Sequence, residues 1–175
     1  MKMTKSLPTV LFFATWALLV GAVPLVVGLF LSGTFEPDAV RAAFPHLHIS
    51  ETLSPMWFAV TILVGLVPWA VGLWVLYQMQ ALFALYRMDR ALTLDAAHLI
   101  RRIGTGLLVL AITHVITNTL QTLLLTSANA DGERVLAVSF GTPQIGFILA
   151  AGLMVVIGRS MVEAAKAVDD MRGII

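Results

Sequence analysis

Long apolar segments dominate this sequence, and the first of them, Leu7–Leu31, contains no charged residue. A helix of that length, at about 1.5 Å per residue, is longer than the roughly 30 Å hydrocarbon core of a bilayer. Hydrophobic residues make up 59% of the chain and charged residues 12%, against about a quarter charged in an ordinary soluble domain. The sequence therefore predicts an all-α membrane protein, a four-transmembrane-helix bundle that forms a single domain over residues 1–175.

The predicted spans follow the apolar segments, and two charged amphipathic helical extensions follow or precede them. The spans cover about 7–31, 55–78, 103–125 and 138–158, and the extensions cover 79–102 and 159–175. Ser54, Thr93 and Thr142 stand where helix N-caps are expected. Two alternatives remain for residues 135–140, which either begin the fourth helix or form an extended segment. The first apolar run is too long for a signal peptide and is expected to be retained.

Basic residues are unevenly distributed among the predicted loops. Only Arg41 and Arg134 fall in the two loops on one side, whereas all other lysines and arginines fall before the first span, in 79–102 or in 159–175. Because cytoplasmic loops are enriched in lysine and arginine, both termini are expected in the cytoplasm. Net charge is only +1, so no overall positive field attracts nucleic acid.

A polar stripe interrupts the third apolar segment. His114, Asn118 and Gln121 recur at helical spacing and so lie on one side of a helix, with Thr117 beside them. In a membrane, such a stripe turns toward other helices or toward a cavity. Two interpretations stay open: hydrogen bonding between helices, with Gln144 of the fourth span as a partner, or a site for a small molecule or a proton.

Metal and haem sites are not expected. Cysteine is absent, which excludes thiolate ligands, and His114 lacks a second histidine within the spans to complete a bis-histidine haem. His46 and His48 could bind a divalent metal with nearby carboxylates, namely those of Glu36, Asp38 and Glu51. Their spacing matches no standard motif, so a solvated loop is favoured.

Four arginines flank the spans on the predicted cytoplasmic side: Arg87, Arg90, Arg101 and Arg102. They either fix topology by contacting anionic lipid headgroups or form a docking surface for an acidic partner.

Small residues in the first and fourth spans are expected to permit close helix contact; they are Ala14, Ala17, Gly21, Gly28, Gly146, Ala150 and Gly158.

Two segments carry a family resemblance: LFALYRMDRALTLDAAHLIRRIG over residues 82–104 and EAAKAVDDMRG over residues 163–173. Both resemble small, largely uncharacterised bacterial four-helix inner-membrane proteins. Thr93 and the Arg102-Ile103-Gly104 entry match that family's turn into its third span, and Asp169-Asp170 loosely matches its charged tail. Members are often encoded beside a Cro-type helix-turn-helix regulator. The resemblance implies location in the bacterial plasma membrane and such a regulator as a cytoplasmic partner.

The functional expectation is a non-enzymatic membrane protein, a sensor or tether that acts on a cytoplasmic transcriptional regulator. The alternative is a subunit of a small oligomeric transporter or channel, whose path the polar stripe would line. An enzyme acting on lipid or quinone is not favoured, because the spans contain no carboxylate or metal-binding cluster. The lipid bilayer is the other expected partner, and a homo-oligomer is compatible with both hypotheses.

Overall fold

The computed structural model describes residues 6–33, 36–45, 47–51, 53–130, 134 and 136–172, and this part of the chain is helical without any strand. Its five helices are α1 (Ser6–Leu31), α2 (Pro37–Ala43), α3 (Pro55–Arg87), α4 (Leu94–Leu125) and α5 (Thr142–Arg172). Four contain segments long and apolar enough to cross a membrane: Leu7–Leu31, Pro55–Arg87, Leu94–Leu125 and Thr142–Ala164. The expected number of apolar helices is therefore confirmed.

Two helix starts form as the sequence predicts. The Ser54 hydroxyl accepts a hydrogen bond from the Met56 N–H, and Pro55 occupies the first turn of α3, where its missing N–H is not needed. The Thr93 hydroxyl accepts from the Ala96 N–H at 3.3 Å and caps α4. The turn between α3 and α4 passes through Asp89 in the left-handed region, with φ 57°. Asp89 and the Thr93 cap thus lie in the turn where the chain reverses between Arg87 and Leu94.

The fourth apolar helix begins at Thr142 and not at 138, so the expected span of 138–158 starts too early. Residues 136–141 adopt no helix, so residues 136–140 do not begin the fourth helix. Val135 lies outside the described residues. Pro143 favours the first turn of a helix, and the Gly141 N–H donates to the Gln144 Oε1 at 2.9 Å. That side-chain contact lies at the start of α5.

The helices contact one another in the order α1, α3, α4, α5, and α2 packs on α3. Among the described residues, α1 makes no backbone contact with α4 or α5, and α5 contacts α4 alone. The bundle is therefore open between α1 and α5, and a cavity occupies the opening.

One end of the bundle, which we call the basic end, holds the start of α1, the α3–α4 turn and the second half of α5. The Arg87 guanidinium lies 4.5 Å from the centre of the Phe12 ring, which joins α3 to α1 there. A Cβ at Gly158 would lie 3.1 Å from the Arg101 backbone nitrogen, which places α5 against α4. Buried residues of α3 and α4 form a cluster at this end, the basic-end cluster: Val75, Leu82, Ala96, Ile100 and Ile103.

The opposite end is closed by α2, the loop between α2 and α3, and the loop after α4. Its buried cluster comprises Val40, Ile49, Leu53, Phe58 and Leu125. Asn129 fastens the loop after α2, because its amide nitrogen donates to the His48 carbonyl at 2.5 Å and its Oδ1 accepts from the Ser50 N–H at 3.1 Å. The loop is thereby held over the end of α4.

Candidate functional site

A cavity of about 1140 Å³ lies between the helices and is the main candidate site. Residues from all five helices contribute to its walls, and α1 and α3 contribute most of them. The described lining residues include no Asp, Glu, Lys or Arg. Ligand pockets typically measure roughly 300–1,000 Å³, so this space could hold a molecule as large as a lipid chain.

The predicted polar stripe of α4 faces this cavity. His114, Thr117, Asn118 and Gln121 all line it, together with Thr61 of α3. His114 stands midway between Ile103 and Leu125, roughly 16 Å along the helix axis from each at about 1.5 Å per residue. The cavity is therefore apolar over most of its surface, and its polar side chains run from the middle of α4, at His114, toward the Leu125 end.

Gln144 holds the imidazole of His114 in one orientation. Gln144 is buried at 5% exposure, and its Nε2 lies 3.0 Å from the His114 Nδ1. Because the Gln144 Oε1 already accepts from the Gly141 N–H, the amide NH₂ faces the ring and must donate. Nδ1 is then the acceptor, and the proton of the uncharged ring is on Nε2. His114 is exposed to the cavity, so this Nε2–H is available to an occupant.

Gln121 joins α4 to α3. Its Nε2 donates to the Thr61 carbonyl at 3.1 Å, and a Cβ at Gly65 would lie 2.7 Å from the same nitrogen. Gly65 is therefore required for the close approach of the amide to the α3 backbone. The Thr61 hydroxyl donates to the Trp57 carbonyl within its own helix. This pair contributes to packing between the two helices.

Asn118 differs from its neighbours on the stripe. It is half-buried and lines the cavity, yet its side chain makes no hydrogen bond to any residue in the described part of the chain. Its amide keeps both a donor and an acceptor. Together with the His114 Nε2–H, it gives the cavity a small, uncharged hydrogen-bonding patch.

The cavity adjoins the basic end through shared side chains. Val75 belongs to the basic-end cluster, Met79 and Leu107 pack against that cluster, and all three also line the cavity. A molecule that enters the cavity would therefore touch residues that hold α3 and α4 together at the basic end.

The cavity walls were not predicted from the sequence. Gly21 and Gly72 line the cavity, and a Cβ at either would meet no atom within 4 Å. Gly28 and Gly146 also have open space around them, so the expectation that the small residues permit close helix contact is wrong at Gly21, Gly28 and Gly146 and correct at Gly158. Small residues give the same sequence signal whether they face a helix or a void, so helix order was needed to separate the two.

The four arginines assigned to the cytoplasmic side all lie at the basic end, but their contacts differ. Arg87 lies over the rings of Phe12 and Phe13, and Arg90 pairs with Asp95 at 3.3 Å. Arg101 and Arg102 are exposed, and neither forms an ion pair with a described residue. These two are the arginines left available for a partner or a headgroup.

The described residues hold no group of three or more His, Cys, Asp or Glu side chains placed to bind a metal. His48 lines a separate pocket of about 520 Å³ with Asp38, Arg41 and Glu51. His46 lies outside the described residues. His98 is exposed on the first turns of α4, distant in sequence from His114.

This geometry defines an all-helical protein whose four long apolar helices enclose an open, uncharged cavity. Comparisons with protein-family models, with curated proteins and with solved structures find no match. The resemblance to small bacterial four-helix membrane proteins therefore stays a prediction.

Proposed function

We propose that this chain is a non-enzymatic integral membrane protein that binds a lipophilic molecule between its helices and signals occupancy at its basic end. The observation that carries the proposal is the cavity, which is apolar, open between α1 and α5, and continuous with the basic-end cluster through Val75, Met79 and Leu107. A change in cavity occupancy can thus alter how α3 and α4 pack where they leave the apolar zone.

The proposed orientation places the basic end in the cytoplasm. Arg87, Arg90, Arg101 and Arg102 lie at that end, whereas Arg41 lies at the opposite end. The positive-inside rule then favours cytoplasmic termini.

A single cysteine introduced at Leu92, in the exposed α3–α4 turn, is expected to resist a membrane-impermeant maleimide in intact cells. A cysteine at Leu136, which is 67% exposed in the opposite loop, is expected to react. Labelling of the Leu92 cysteine but not of the Leu136 cysteine would mean that the protein has the opposite orientation.

Coupling between the cavity and the basic end can be tested without knowing the ligand. The substitution Gly72→Leu places a side chain in the cavity and so mimics partial occupancy, whereas Gly152→Leu adds the same group at an exposed position on α5 where no atom lies within 4 Å. The chain has no cysteine, so paired spin labels can be introduced cleanly by Leu92→Cys and Ser160→Cys, both at exposed positions.

The expected result is a shifted or broadened distance distribution between the two labels in Gly72→Leu and an unchanged one in Gly152→Leu. A cavity-filled variant whose labels report the parent distribution would refute coupling, even if the cavity binds a ligand. Equal shifts in both variants would show that the labels respond to any added bulk.

The receiving partner is proposed to be a soluble cytoplasmic regulator, which the family resemblance suggests to be of the helix-turn-helix type. Support from the structure is limited to Arg101 and Arg102, two adjacent exposed cations without ion-pair partners in the described chain. Co-purification of a soluble regulator from native membranes is expected with the parent chain and is expected to be lost with Arg101→Glu/Arg102→Glu. The control Arg134→Glu reverses charge at the opposite end. Retention of the same partner by the double variant would exclude this surface.

A transporter or channel is the second candidate, and the cavity supports it less well. The polar side chains lie between the middle of the cavity and its end near Leu125, while its wall toward the basic end is apolar, with Val75, Met79 and Leu107. An ion or polar solute would meet no hydrogen-bonding side chain there, at the full cost of desolvation. Solute flux through proteoliposomes of the purified protein above that of protein-free vesicles would favour this alternative.

A further inference from the structure

The chemistry of the cavity's polar patch restricts what can occupy it. Resting on the proposed function, we infer that the occupant is an uncharged lipophile that carries a carbonyl or hydroxyl group, and that His114 and Asn118 bind this group near the middle of the apolar helices. Depth, charge and hydrogen-bonding capacity lead separately to this assignment.

Depth excludes an ordinary phospholipid headgroup. His114 lies roughly 16 Å from either end of the 103–125 apolar segment, which is near the centre of a hydrocarbon core about 30 Å thick. Phospholipid acyl chains reach that depth, but their polar groups stay at the interface. A hydrogen-bonding patch at this depth is matched only by a molecule that brings a polar group into the apolar zone.

Charge excludes an ionised group. The described lining contains no acidic or basic side chain, and an isolated ion in such surroundings is strongly disfavoured. The His114 Nδ1 faces the donating amide of Gln144, and a second proton on the ring would set two donors against each other. A carboxylate or phosphate would therefore find no counter-charge.

The available hydrogen-bonding groups define which polar group the occupant carries. The His114 Nε2–H can only donate, and the Asn118 amide can donate and accept. An oxygen acceptor on the occupant satisfies the imidazole, and a carbonyl has two lone pairs with which it can also accept from Asn118. A hydroxyl accepts from His114 and donates to Asn118. Both groups fit, whereas a pure hydrocarbon leaves the patch unsatisfied.

Trp69 provides a reporter of occupancy, because it lines the same cavity. The purified full-length chain in lipid nanodiscs is titrated with four dibrominated probes of equal chain length: a primary alcohol, a methyl ester, a hydrocarbon and a fatty-acid anion. Bromine quenches nearby tryptophan fluorescence. The variant Trp69→Phe measures quenching of the other tryptophans, and the difference isolates the quenching of Trp69.

The alcohol and the ester are expected to bind about five- to tenfold more tightly than the hydrocarbon, the range that one or two hydrogen bonds in a membrane supply. The anion is expected to bind no more tightly than the hydrocarbon. Asn118→Leu is expected to reduce alcohol and ester affinity about threefold and not to lower hydrocarbon affinity. This substitution is similar in size and removes no hydrogen bond within the described protein, so the fold should be retained.

His114→Phe provides a second test but also removes the partner of Gln144, so Asn118→Leu is decisive if the histidine variant does not fold. Thr113→Val is the matched control on the same helix: its hydroxyl donates to the carbonyls of Val109 and Leu110 and does not line the cavity. It should leave the affinities of all four probes unchanged.

The possible failures are distinguishable. Equal affinities for alcohol, ester and hydrocarbon, unaffected by Asn118→Leu, would overturn the assignment of a polar occupant while leaving a lipid-binding cavity intact. Tightest binding of the anion would overturn it by showing a charged occupant. No quenching of Trp69 by any probe would overturn both this inference and the proposal that the cavity binds lipophiles.

Discussion

The contact between α4 and α5 and the contact between α1 and α3 use small residues for opposite purposes. At the first, a Cβ at Gly104 would lie 3.0 Å from the Ala151 carbonyl oxygen and one at Gly158 would lie 3.2 Å from the Ala97 carbonyl oxygen, so the two backbones nearly touch. At the second, the space around Gly21 is empty. The glycines between α4 and α5 have no side chain to keep the two helices apart. Gly21 has no side chain to fill the cavity beside α1.

This difference shows how a four-helix protein can be rigid and open at once. In lipid, close packing and a few hydrogen bonds hold helices together, since burial of apolar surface gives little drive between them. Those interactions are concentrated between α3, α4 and α5, while most of α1 stays exposed and can contact lipid. The cavity lies at the boundary between the tightly packed part and the loosely attached helix.

The largest effect is expected from breaking the tight contact. Gly104→Val would push a branched side chain into the Ala151 carbonyl and the Met154 Cβ, each 3.0 Å from the position of a Cβ. We expect a loss of about 2–3 kcal/mol in the free energy of unfolding, the upper part of the range for overpacking. Equilibrium unfolding in mixed detergent micelles would measure this change.

Gly152→Val is the matched control, because Gly152 is exposed on α5 with no atom within 4 Å of a Cβ. Both substitutions replace a helical glycine by valine, so their differences in helix propensity cancel. Similar stability losses at the two positions would show that α4 and α5 are not closely packed at Gly104.

The sequence predicts the elements of this fold better than their arrangement. Apolar length and the caps at Ser54 and Thr93 are local signals, and they located the helices to within a few residues. The start of the fourth span was placed too early because residues 136–140 are mostly apolar, although Thr142 and Pro143 mark the real helix start. Local pattern says which residues share a helix face, but not which neighbour that face meets.

For the candidate site too, the sequence predicts the residues of one helix face but not the neighbours that this face meets. The stripe of His114, Asn118 and Gln121 is visible in the sequence because its spacing is helical. The cavity is not, because its walls come from α1 and α3, which are apolar on all sides and carry no periodic signal. Nor could the sequence show that Gln121 bonds α3 while Asn118 stays without a protein partner.

An intermediate effect is expected at the hydrogen bond between His114 and Gln144, which joins the tight contact to the cavity. A double-mutant cycle with His114→Leu and Gln144→Leu should give a coupling energy of about 0.6–1.7 kcal/mol, as measured for interhelical hydrogen bonds in membranes. The bond from Gly141 to Gln144 is lost in both arms of the cycle and so cancels. Strict additivity of the two substitutions would mean that the side chains do not interact.

A smaller effect is expected at the loose contact, where Arg87 lies over Phe12 and Phe13. Arg87→Ala should cost about 0.5–1 kcal/mol, the range for exposed cation–π pairs, and should weaken the attachment of α1 selectively. Hydrogen exchange of α1 amides at the basic end would report this. Arg102→Ala removes an exposed arginine that has no aromatic contact in the described chain and should leave α1 exchange unchanged.

The smallest change in stability is expected on the open side of α1, at Gly21. Gly21→Leu projects into the cavity without meeting an atom within 4 Å of its Cβ, so the free energy of unfolding should change by no more than about 0.5 kcal/mol. Gly158→Leu, at the tight contact, should cost several times more. The Gly21 variant should nevertheless bind lipophilic probes more weakly, because the added side chain occupies part of their space. A large loss of stability at Gly21 would mean that α1 packs closely after all, and the cavity would then not exist in the membrane.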